Sequence, residues 1–229
     1  MNEYRQWQEG VIMNTYVVID VEMCGVQIRT QNFNRRHEIV QIGAVMMNEA
    51  YEIIDSFSTF VRPDYGKIDY FISSLTGIAN KDVKNAPGLA EALRSMMEWF
   101  GDRRIRFYAW SNTDYNQIRG EILDKNLDEE AFAIFLDKEN WVDYQNIVNV
   151  RFKIGRSLAL ADALQMTELD VDGRLHDGLA DAMNTARIIS KLERNPDYKC
   201  TLEKLREKEK QSEPLTTSLG SLLKGIVLE

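Results

Sequence analysis

Residues 15–23 of this chain, Thr-Tyr-Val-Val-Ile-Asp-Val-Glu-Met, are the stretch that most limits what it can fold into. The stretch is rich in β-branched residues, and apolar side chains occupy both of its alternating positions. A strand of this kind must be buried on both faces, which predicts a central strand of a sheet covered on both sides. Asp20 and Glu22 lie near its end and are two residues apart, so their carboxylates project from the same face.

Further apolar runs alternate with amphipathic segments in the order expected of an α/β domain. Residues 38–47 and 51–61 are strand-like, and the short 48–50 link between them predicts an antiparallel hairpin. Residues 105–110 and 141–148 predict a fourth and a fifth strand. Helices are predicted at 72–78, 88–100, 113–123, 158–169 and 178–192. This order predicts a mixed five-stranded sheet flanked by helices.

The composition is that of an ordinary globular protein. The chain has 229 residues, of which 44% are hydrophobic and 28% charged, and it is long enough for one large domain with a substantial core. The net charge of −8 argues against broad, non-specific coating of nucleic acid, which requires a basic surface. A nuclease is still allowed, because bound divalent cations would supply positive charge where a phosphate must sit.

Neither a membrane segment nor a cysteine framework is visible in the sequence. No apolar run reaches the roughly 18 residues of a membrane span, and residues 1–6 lack the pattern of a signal peptide. Cys24 and Cys200 form neither a disulfide framework nor a zinc-binding pattern, so we expect a cytoplasmic protein without a membrane partner. We expect one domain at 1–195 and a charged segment and tail at 196–229, which could dock on a protein partner or a second copy.

Four acids and one histidine occur in an order that predicts a metal site if the fold gathers them. The carboxylates of Asp20, Glu22, Asp114 and Asp181 would bind hard divalent cations, and His176 would be a titratable base beside them. Each residue also has a simpler interpretation. The strand could merely reach its polar end at Asp20 and Glu22, Asp114 could cap a helix, and Asp181 could be a surface acid on an amphipathic helix.

Comparison with other acids in the chain favours the metal-site hypothesis. The segments 128–130 and 137–139 have the same Asp-x-Glu spacing, but they lie in polar stretches where solvated acids are the natural interpretation. Asp20 and Glu22 instead follow a buried apolar run, where a carboxylate is costly unless positive charge compensates it.

The two histidines also differ in their surroundings. His37 lies beside two arginines in a polar stretch, which predicts an exposed side chain. His176 lies five residues before Asp181 at the beginning of a predicted helix, and Gly178 between them allows close approach of the backbone. This spacing supports a catalytic role for His176 about as well as a structural role.

Longer segments around these residues resemble the DEDDh class of 3′–5′ exonucleases, which has the ribonuclease H-like fold. The order Asp-x-Glu, Asp, His-x-x-x-x-Asp is similar to the pattern of that class. Residues 38–45 are similar to its second strand, 60–63 and 75–78 to its intervening segment, and 176–186 to its third motif. The resemblance extends from about Tyr16 to Ile189, most of the chain, and it is far more specific than any one motif.

This resemblance implies a role for each residue of the pattern. Two Mg²⁺ or Mn²⁺ ions would be held by the four carboxylates, and His176 would be the general base for the attacking water. Met23, Leu75 and Ile78 would receive the terminal nucleotide, and the products would be nucleoside 5′-monophosphates. Because the base must be neutral to accept a proton, activity is expected to rise with pH.

The segment before Asp114 bears on the choice of substrate. Trp110, four residues earlier, is similar to the Ser-Trp-Gly-x-x-Asp pattern of the Eri-type exoribonuclease branch, which implies single-stranded RNA in preference to DNA. The branch's glycine is Ser111 here, and the class's threonines after Glu22 are Met23 and Cys24, so the resemblance does not define how the sugar is recognised, whereas the metal ligands match. Core packing is the favoured interpretation of Trp110 itself. The alternatives are a proofreading or repair DNA exonuclease and a catalytically inactive nucleic-acid-binding scaffold.

Overall fold

A mixed sheet with the strand order β3-β2-β1-β5-β6 forms the centre of the fold. The computed structural model describes residues 14–28, 30, 33 and 35–199. The strands are β1 (Asn14–Val26), β2 (His37–Met47), β3 (Ile53–Phe60), β4 (Gly66–Lys67), β5 (Arg104–Ala109) and β6 (Trp141–Asp143). β1, β2 and β3 pair antiparallel, β5 and β6 continue parallel to β1, and the two-residue β4 pairs with the end of β1. The predicted α/β fold with a mixed sheet is confirmed.

Helices cover this sheet. They are α1 (Tyr70–Thr76), α2 (Asn80–Val83), α3 (Leu89–Phe100), α4 (Asn112–Asp124), α5 (Ala133–Leu136), α6 (Tyr144–Phe152), α7 (Leu160–Met166) and α8 (Gly178–Glu193), with a 3₁₀ turn at Lys138–Asn140. In the part of the chain that the structure describes, no helix is long and apolar enough to cross a membrane.

The central strand β1 is buried on both faces, as its sequence predicts. On one face, Val17 and Ile19 pack with Leu93 of α3 and Ile118 of α4 in the main hydrophobic core. On the other face, Val18 is fully buried where α8 packs against β1 and β2. Asp20 and Glu22 share the face of Val18, because side chains alternate along a strand. The acids of β1 therefore point toward α8.

The predicted strand at 141–148 is wrong beyond its third residue. β6 ends at Asp143, and the chain continues directly into α6. The side chain of Asp143 accepts a hydrogen bond of 2.9 Å from the backbone N–H of Asn146, which is the bond of a helix N-cap. The capping signal decides the conformation here, because the short apolar run that follows fits a strand or a helix equally well.

The smallest elements had no signal in the sequence. β4, α2 and α5 have two to four residues each, which is too short for a periodic pattern. The described residues up to Tyr198 form one compact unit. The predicted division at residue 195 stays a prediction, and the predicted tail at 200–229 lies outside the described residues.

A buried ion pair ties α4 to β2 and to the loop that leads into α1. The carboxylate of Glu38, which is fully buried, accepts hydrogen bonds of 2.6–2.8 Å from the backbone N–H groups of residues 64–66. Lys125 at the end of α4 lies 2.6 Å from the Glu38 carboxylate and 3.2 Å from that of Glu121. The end of α4 and the loop at residues 64–66 are thereby held to the same strand, β2.

Candidate active site

Asp20 and Glu22 lie within β1 and not at its end. The strand continues to Val26, and its register against β2 shifts between Glu22 and Met23, which is a β-bulge. Bulges commonly lie beside active sites, where they change the direction of the strand and of its side chains. The interpretation of these acids as the polar end of a strand is therefore wrong.

Asp114 reaches the same place from the neighbouring strand. β5 runs parallel to β1, so the residues that follow β5 emerge beside the acids of β1. The side chain of Ser111, and not that of Asp114, caps α4 by accepting from the backbone N–H of Thr113. Asp114 lies in the first turn, 7% exposed, and its Oδ1 accepts from the backbone N–H of Val21 at 3.1 Å. This bond holds the Asp114 carboxylate against β1 at Val21, the residue between Asp20 and Glu22.

The N-terminus of α8 contacts β2 directly. Gly43 pairs with Asp20 across the sheet, and an added Cβ at Gly43 would lie 2.1 Å from the carbonyl carbon of Gly178. The backbone of α8 therefore approaches the strand with no side chain between them. Gln41, 3% exposed, accepts from the backbone N–H of Gly178 at 3.0 Å and donates to the Asp177 carboxylate at 3.3 Å. These contacts position the first turn of α8 over the acids of β1.

His176 and Asp181 are brought together with Glu22 by this contact. The backbone N–H of His176 donates to Oδ2 of Asp181 at 2.9 Å. One ligand atom each from Glu22, His176 and Asp181 lie within 4.8 Å of one another. His176 has a φ of 64°, in the left-handed region that costs a non-glycine residue roughly 1–2 kcal/mol. The bond to Asp181 helps to hold the histidine in this unfavourable backbone conformation.

Burial and mutual repulsion raise the pKa of every acid in this group. The pKa of Glu22 rises to about 8, first because of burial and then because of repulsion from Asp181 and Asp114. Burial raises the pKa of Asp114 to about 7, partly offset by the hydrogen bond from Val21. The pKa of Asp20 lies well above its ordinary value, again through burial and then repulsion from its neighbours, and burial also raises the pKa of Asp181. Four carboxylates in this arrangement are stabilised by binding either protons or cations.

The side chains fit a divalent cation. Oδ1 of Asp181 is buried and has no hydrogen-bond partner among the residues that the structure describes. A buried carboxylate oxygen without a donor is costly, and a bound cation would satisfy it. Carboxylate oxygens are the ligands that Mg²⁺ and Mn²⁺ prefer, and the donors available here are chiefly of that kind.

The raised pKa values predict how the stability of the metal-free protein changes with pH. Between about pH 4 and pH 8, these carboxyls lose protons in the unfolded chain while they retain them in the fold. The free energy of unfolding should therefore fall as pH rises through this window. Thermal unfolding of metal-free protein at pH 5, 6.5 and 8, with and without Mn²⁺, measures the effect. We expect Mn²⁺ to raise the melting temperature most at pH 8, and a metal-independent melting temperature at pH 8 would contradict this account.

Side chains for which the sequence predicts no role in the site are exposed or packed in the core. His37 is exposed, as predicted, and so are the acids of the pairs at 128–130 and 137–139. Trp110 is 8% exposed, and its Nε1 donates to the carbonyl oxygen of Leu158 at 2.9 Å. Core packing is thus the correct interpretation of this tryptophan.

The three predicted nucleotide contacts differ in accessibility. Met23 and Leu75 are half-buried, at the bulge of β1 and near the end of α1. Ile78 is 3% exposed and packs in a small cluster with Cys24 and Val40. Their role in binding a nucleotide stays a prediction, and Met23 and Leu75 have the surface for it.

Three residues shape this site although the sequence motifs assign them no role: Gln41, Gly43 and Asp177. Gln41 is a polar residue inside an otherwise apolar strand, which was a signal of a buried hydrogen bond. Asp177 caps α8 by accepting from the backbone N–H of Ala180 at 3.0 Å, and its charge contributes to the raised pKa values of Asp20 and Glu22. Only the folded arrangement reveals the role of Gly43.

Comparison with known proteins agrees with this geometry. The family model for exonucleases of the RNase_T type matches residues 17–189, which is most of the chain. The chain belongs to this exonuclease family. The matched residues begin in β1 and end in α8, so they include all five side chains of the predicted catalytic group.

Individual members of the exonuclease family match this chain over different lengths. The 3′-5′ exoribonuclease 1 of Mus musculus is 28% identical over 164 residues, which are 66% of this chain and 46% of that protein. A PolC-type DNA polymerase III of Caldanaerobacter subterraneus is 29% identical over 199 residues, which are 87% of this chain and 12% of the polymerase. This chain thus spans about half the length of the mouse exoribonuclease and a small part of the polymerase.

A solved exonuclease structure has the same fold. The nuclease domain of 3′hExo, described as a DEDDh family member bound to rAMP, superposes with a TM-score of 0.64 at 22% identity. The match covers 83% of this chain and 98% of that domain. The resemblance to the DEDDh exonucleases and to their Eri-type members is confirmed.

Proposed function

We propose that this protein is a metal-dependent 3′–5′ exonuclease that removes nucleoside 5′-monophosphates from single-stranded nucleic acid, with RNA preferred over DNA. The observation that carries the proposal is the meeting of four acids from three segments, Asp20 and Glu22, Asp114 and Asp181, with His176 at their edge. The raised pKa values of these acids support a site that gains stability by binding cations.

Two Mg²⁺ or Mn²⁺ ions would be held by Asp20, Glu22, Asp114 and Asp181. When bound, they would supply the positive charge that favours deprotonation of the attacking water and stabilises the leaving 3′-oxygen. The unpartnered Oδ1 of Asp181 and the repulsion among the four carboxylates support this assignment.

His176 is assigned as the general base. Its side chain is exposed, and it lies at the edge of the carboxylate group, where a water molecule can reach both. The imidazole accepts a proton from the water as its oxygen bonds to phosphorus. The bond from phosphorus to the 3′-oxygen then breaks, and this oxygen takes a proton from solvent, which leaves a shortened strand with a free 3′-hydroxyl group and a nucleoside 5′-monophosphate. Because only neutral imidazole accepts the proton, activity is expected to rise with pH.

Replacing His176 with alanine is expected to lower kcat by ~10²–10⁴-fold, the usual contribution of a general base. Binding of Mn²⁺, measured as a rise in melting temperature, should persist because the four carboxylates remain. His176→Asn serves as a second variant, since asparagine tolerates the left-handed backbone at this position. His37→Ala is the matched control, and wild-type turnover in both His176 variants would remove this residue from the mechanism.

Two exposed aromatic rings support a single-stranded substrate. Tyr70 and Phe71, at the beginning of α1, are 89% and 66% exposed. Unpaired bases stack on such rings with about 1–3 kcal/mol per base, whereas bases within a duplex are not free to do so. Leu75 lies one turn after Phe71 in the same helix, so these two side chains share a face of α1.

The preference for RNA rests on the Eri-type pattern at Trp110 and Asp114 and on the similarity to a mouse exoribonuclease. The alternative of a proofreading or repair DNA exonuclease is supported by the similarity to a PolC-type polymerase. An inactive scaffold is a weaker alternative, because a binding protein has no chemical reason to retain all four carboxylates and His176.

One assay separates these functions. Purified protein is incubated with end-labelled single-stranded RNA or DNA of one sequence, in Mg²⁺, Mn²⁺ or EDTA. Stepwise shortening from the 3′ end that EDTA abolishes supports an exonuclease, and the ratio of RNA to DNA rates decides the substrate. Binding without shortening in either metal would favour the scaffold.

A cytoplasmic location and a partner bound through the C-terminal tail are also proposals. Cys24 is a buried free thiol, which suits a reducing compartment.

A further inference from the structure

Arg174 joins the loop that carries His176 to the end of α1. Its guanidinium donates to the backbone carbonyl oxygens of Ser74 and Leu75, the latter at 3.0 Å. Arg174 itself is exposed and lies two residues before His176. The two bonds therefore link the predicted general base to the helix that carries a predicted nucleotide contact.

The end of α1 is built to receive this guanidinium. The last carbonyl groups of a helix have no partner within the helix and need donors from elsewhere. The carbonyl of Ser73 accepts from the backbone N–H of Gly77, and those of Ser74 and Leu75 accept from Arg174. Gly77 has a φ of 82°, and a Cβ at this position would lie 2.4 Å from Nη1 of Arg174. A glycine here thus both ends the helix and makes room for the arginine.

On its other side, the same loop is held by α8. Asn184 exchanges two hydrogen bonds of 2.9 Å with the backbone of Asp172, and Asp181 accepts from the backbone N–H of His176. Within the described residues, the hydrogen bonds from residues 170–177 to α1 both come from Arg174. The imidazole of His176 makes no hydrogen bond to another described residue, so its location depends on the backbone of this loop.

We propose that Arg174 is a positioning residue, which holds the His176 loop and the Leu75 end of α1 at a fixed separation. The proposal rests on the proposed exonuclease function, because the fixed separation matters for catalysis by His176 on a bound nucleotide. A terminal nucleotide seated against Leu75 then presents its phosphate at a constant distance from the imidazole. Without Arg174, the loop keeps its bonds to α8 and to Gln41 of β2 but loses those to α1, and His176 can move relative to the nucleotide while the four carboxylates stay in place.

Steady-state kinetics of Arg174→Met and Arg174→Lys test the proposal. A displacement of about 1 Å in a catalytic group can cost ~10²-fold in rate, so we expect Arg174→Met to lower kcat by roughly 10- to 100-fold. KM and the rise in melting temperature with Mn²⁺ should change little. Arg174→Lys should recover part of kcat, because one ammonium group can donate to one of the two carbonyls.

Arg151→Met is the matched control. Arg151 also donates to backbone carbonyls at the end of a helix, those of Leu192, Asn195 and Pro196, but it lies at the opposite end of α8 from Asp181. This variant reports the effect of losing such bonds on stability alone. Equal kcat in Arg174→Met and Arg151→Met, at a temperature where both are folded, would overturn the proposal.

Amide hydrogen exchange gives a measurement that does not depend on activity. We expect faster exchange in Arg174→Met at residues 74–77 and at 171–176 together, and no such change in Arg151→Met. Unchanged exchange in these two segments would overturn the proposal even if the wild-type protein degrades nucleic acid. If the wild-type protein is inactive but exchange increases in both segments, the linkage stands and the proposed exonuclease function is what fails.

Discussion

Replacing Asp20 with asparagine is expected to abolish exonuclease activity and to make the metal-free protein more stable. Loss of a cation ligand removes several kcal/mol of transition-state stabilisation, which corresponds to a decrease in kcat of ~10⁴-fold or more. The same change removes a carboxylate whose ionised form is disfavoured by burial and by repulsion from Asp114, Asp181 and Glu22. The melting temperature without metal should therefore rise at pH 8, by about 2–4 °C for each kcal/mol relieved.

The opposite signs of these two effects distinguish a cation site from a structural carboxylate. Asp128→Asn is the matched control, because Asp128 belongs to an Asp-x-Glu pair of the same spacing and is exposed. It should change neither activity nor melting temperature. Mn²⁺ should no longer raise the melting temperature of Asp20→Asn to the wild-type extent. A large loss of metal-free stability in that variant would mean that Asp20 supports the fold, against the present account.

Among glycine-to-alanine substitutions in this sheet, Gly43→Ala is expected to cause the largest loss of stability. The new Cβ would lie 2.1–2.2 Å from backbone atoms of Gly178 and Leu179, far closer than carbon atoms can approach. The backbone of α8 must then move away from β2. Overpacking of this kind costs about 1–3 kcal/mol, and more where backbone must shift. Because α8 carries Asp181 in its first turn and directly follows the loop of His176, kcat should also fall by ~10²-fold.

Gly25→Ala provides the comparison for Gly43→Ala. Gly25 also lies in a strand, but no atom is within 4 Å of its added Cβ. Urea unfolding of both variants measures the difference in the free energy of unfolding. Equal stability of the two variants would contradict the importance of the contact between Gly43 and Gly178.

Most of the fold follows from local patterns in the sequence. β1, the hairpin of β2 and β3, and the long helices α3, α4 and α8 were predicted to within a few residues, because each has a long run of one periodicity. β6 was predicted too long. The run of eight residues at 141–148 begins as a strand, but its pattern carries no periodic signal of where the strand ends and the helix begins. The cap at Asp143 decides that boundary.

The grouping of the acids followed from family resemblance more than from local patterns. Asp114 and Asp181 each had an ordinary interpretation as helical acids, and only the order of the motifs united them with Asp20 and Glu22. Gln41 and Gly43 could not be assigned in this way, because their roles depend on contacts with a helix that begins more than a hundred residues later. Such contacts are set by the packing of β2 against α8 and have no local signature.

The contact between β2 and α8 also determines the order in which the site is completed as the chain is synthesised. A chain that ends before α8 would contain the whole sheet, Asp20, Glu22 and Asp114, and hence three of the four cation ligands. It would contain His176 but lack Asp181, and with it the α8 contact that holds the His176 loop beside these acids. Domains fold progressively as they are made, so under the proposed function hydrolysis would begin only when α8 docks on Gly43. Under the proposed function, exonuclease activity would therefore report that α8 has docked on the sheet.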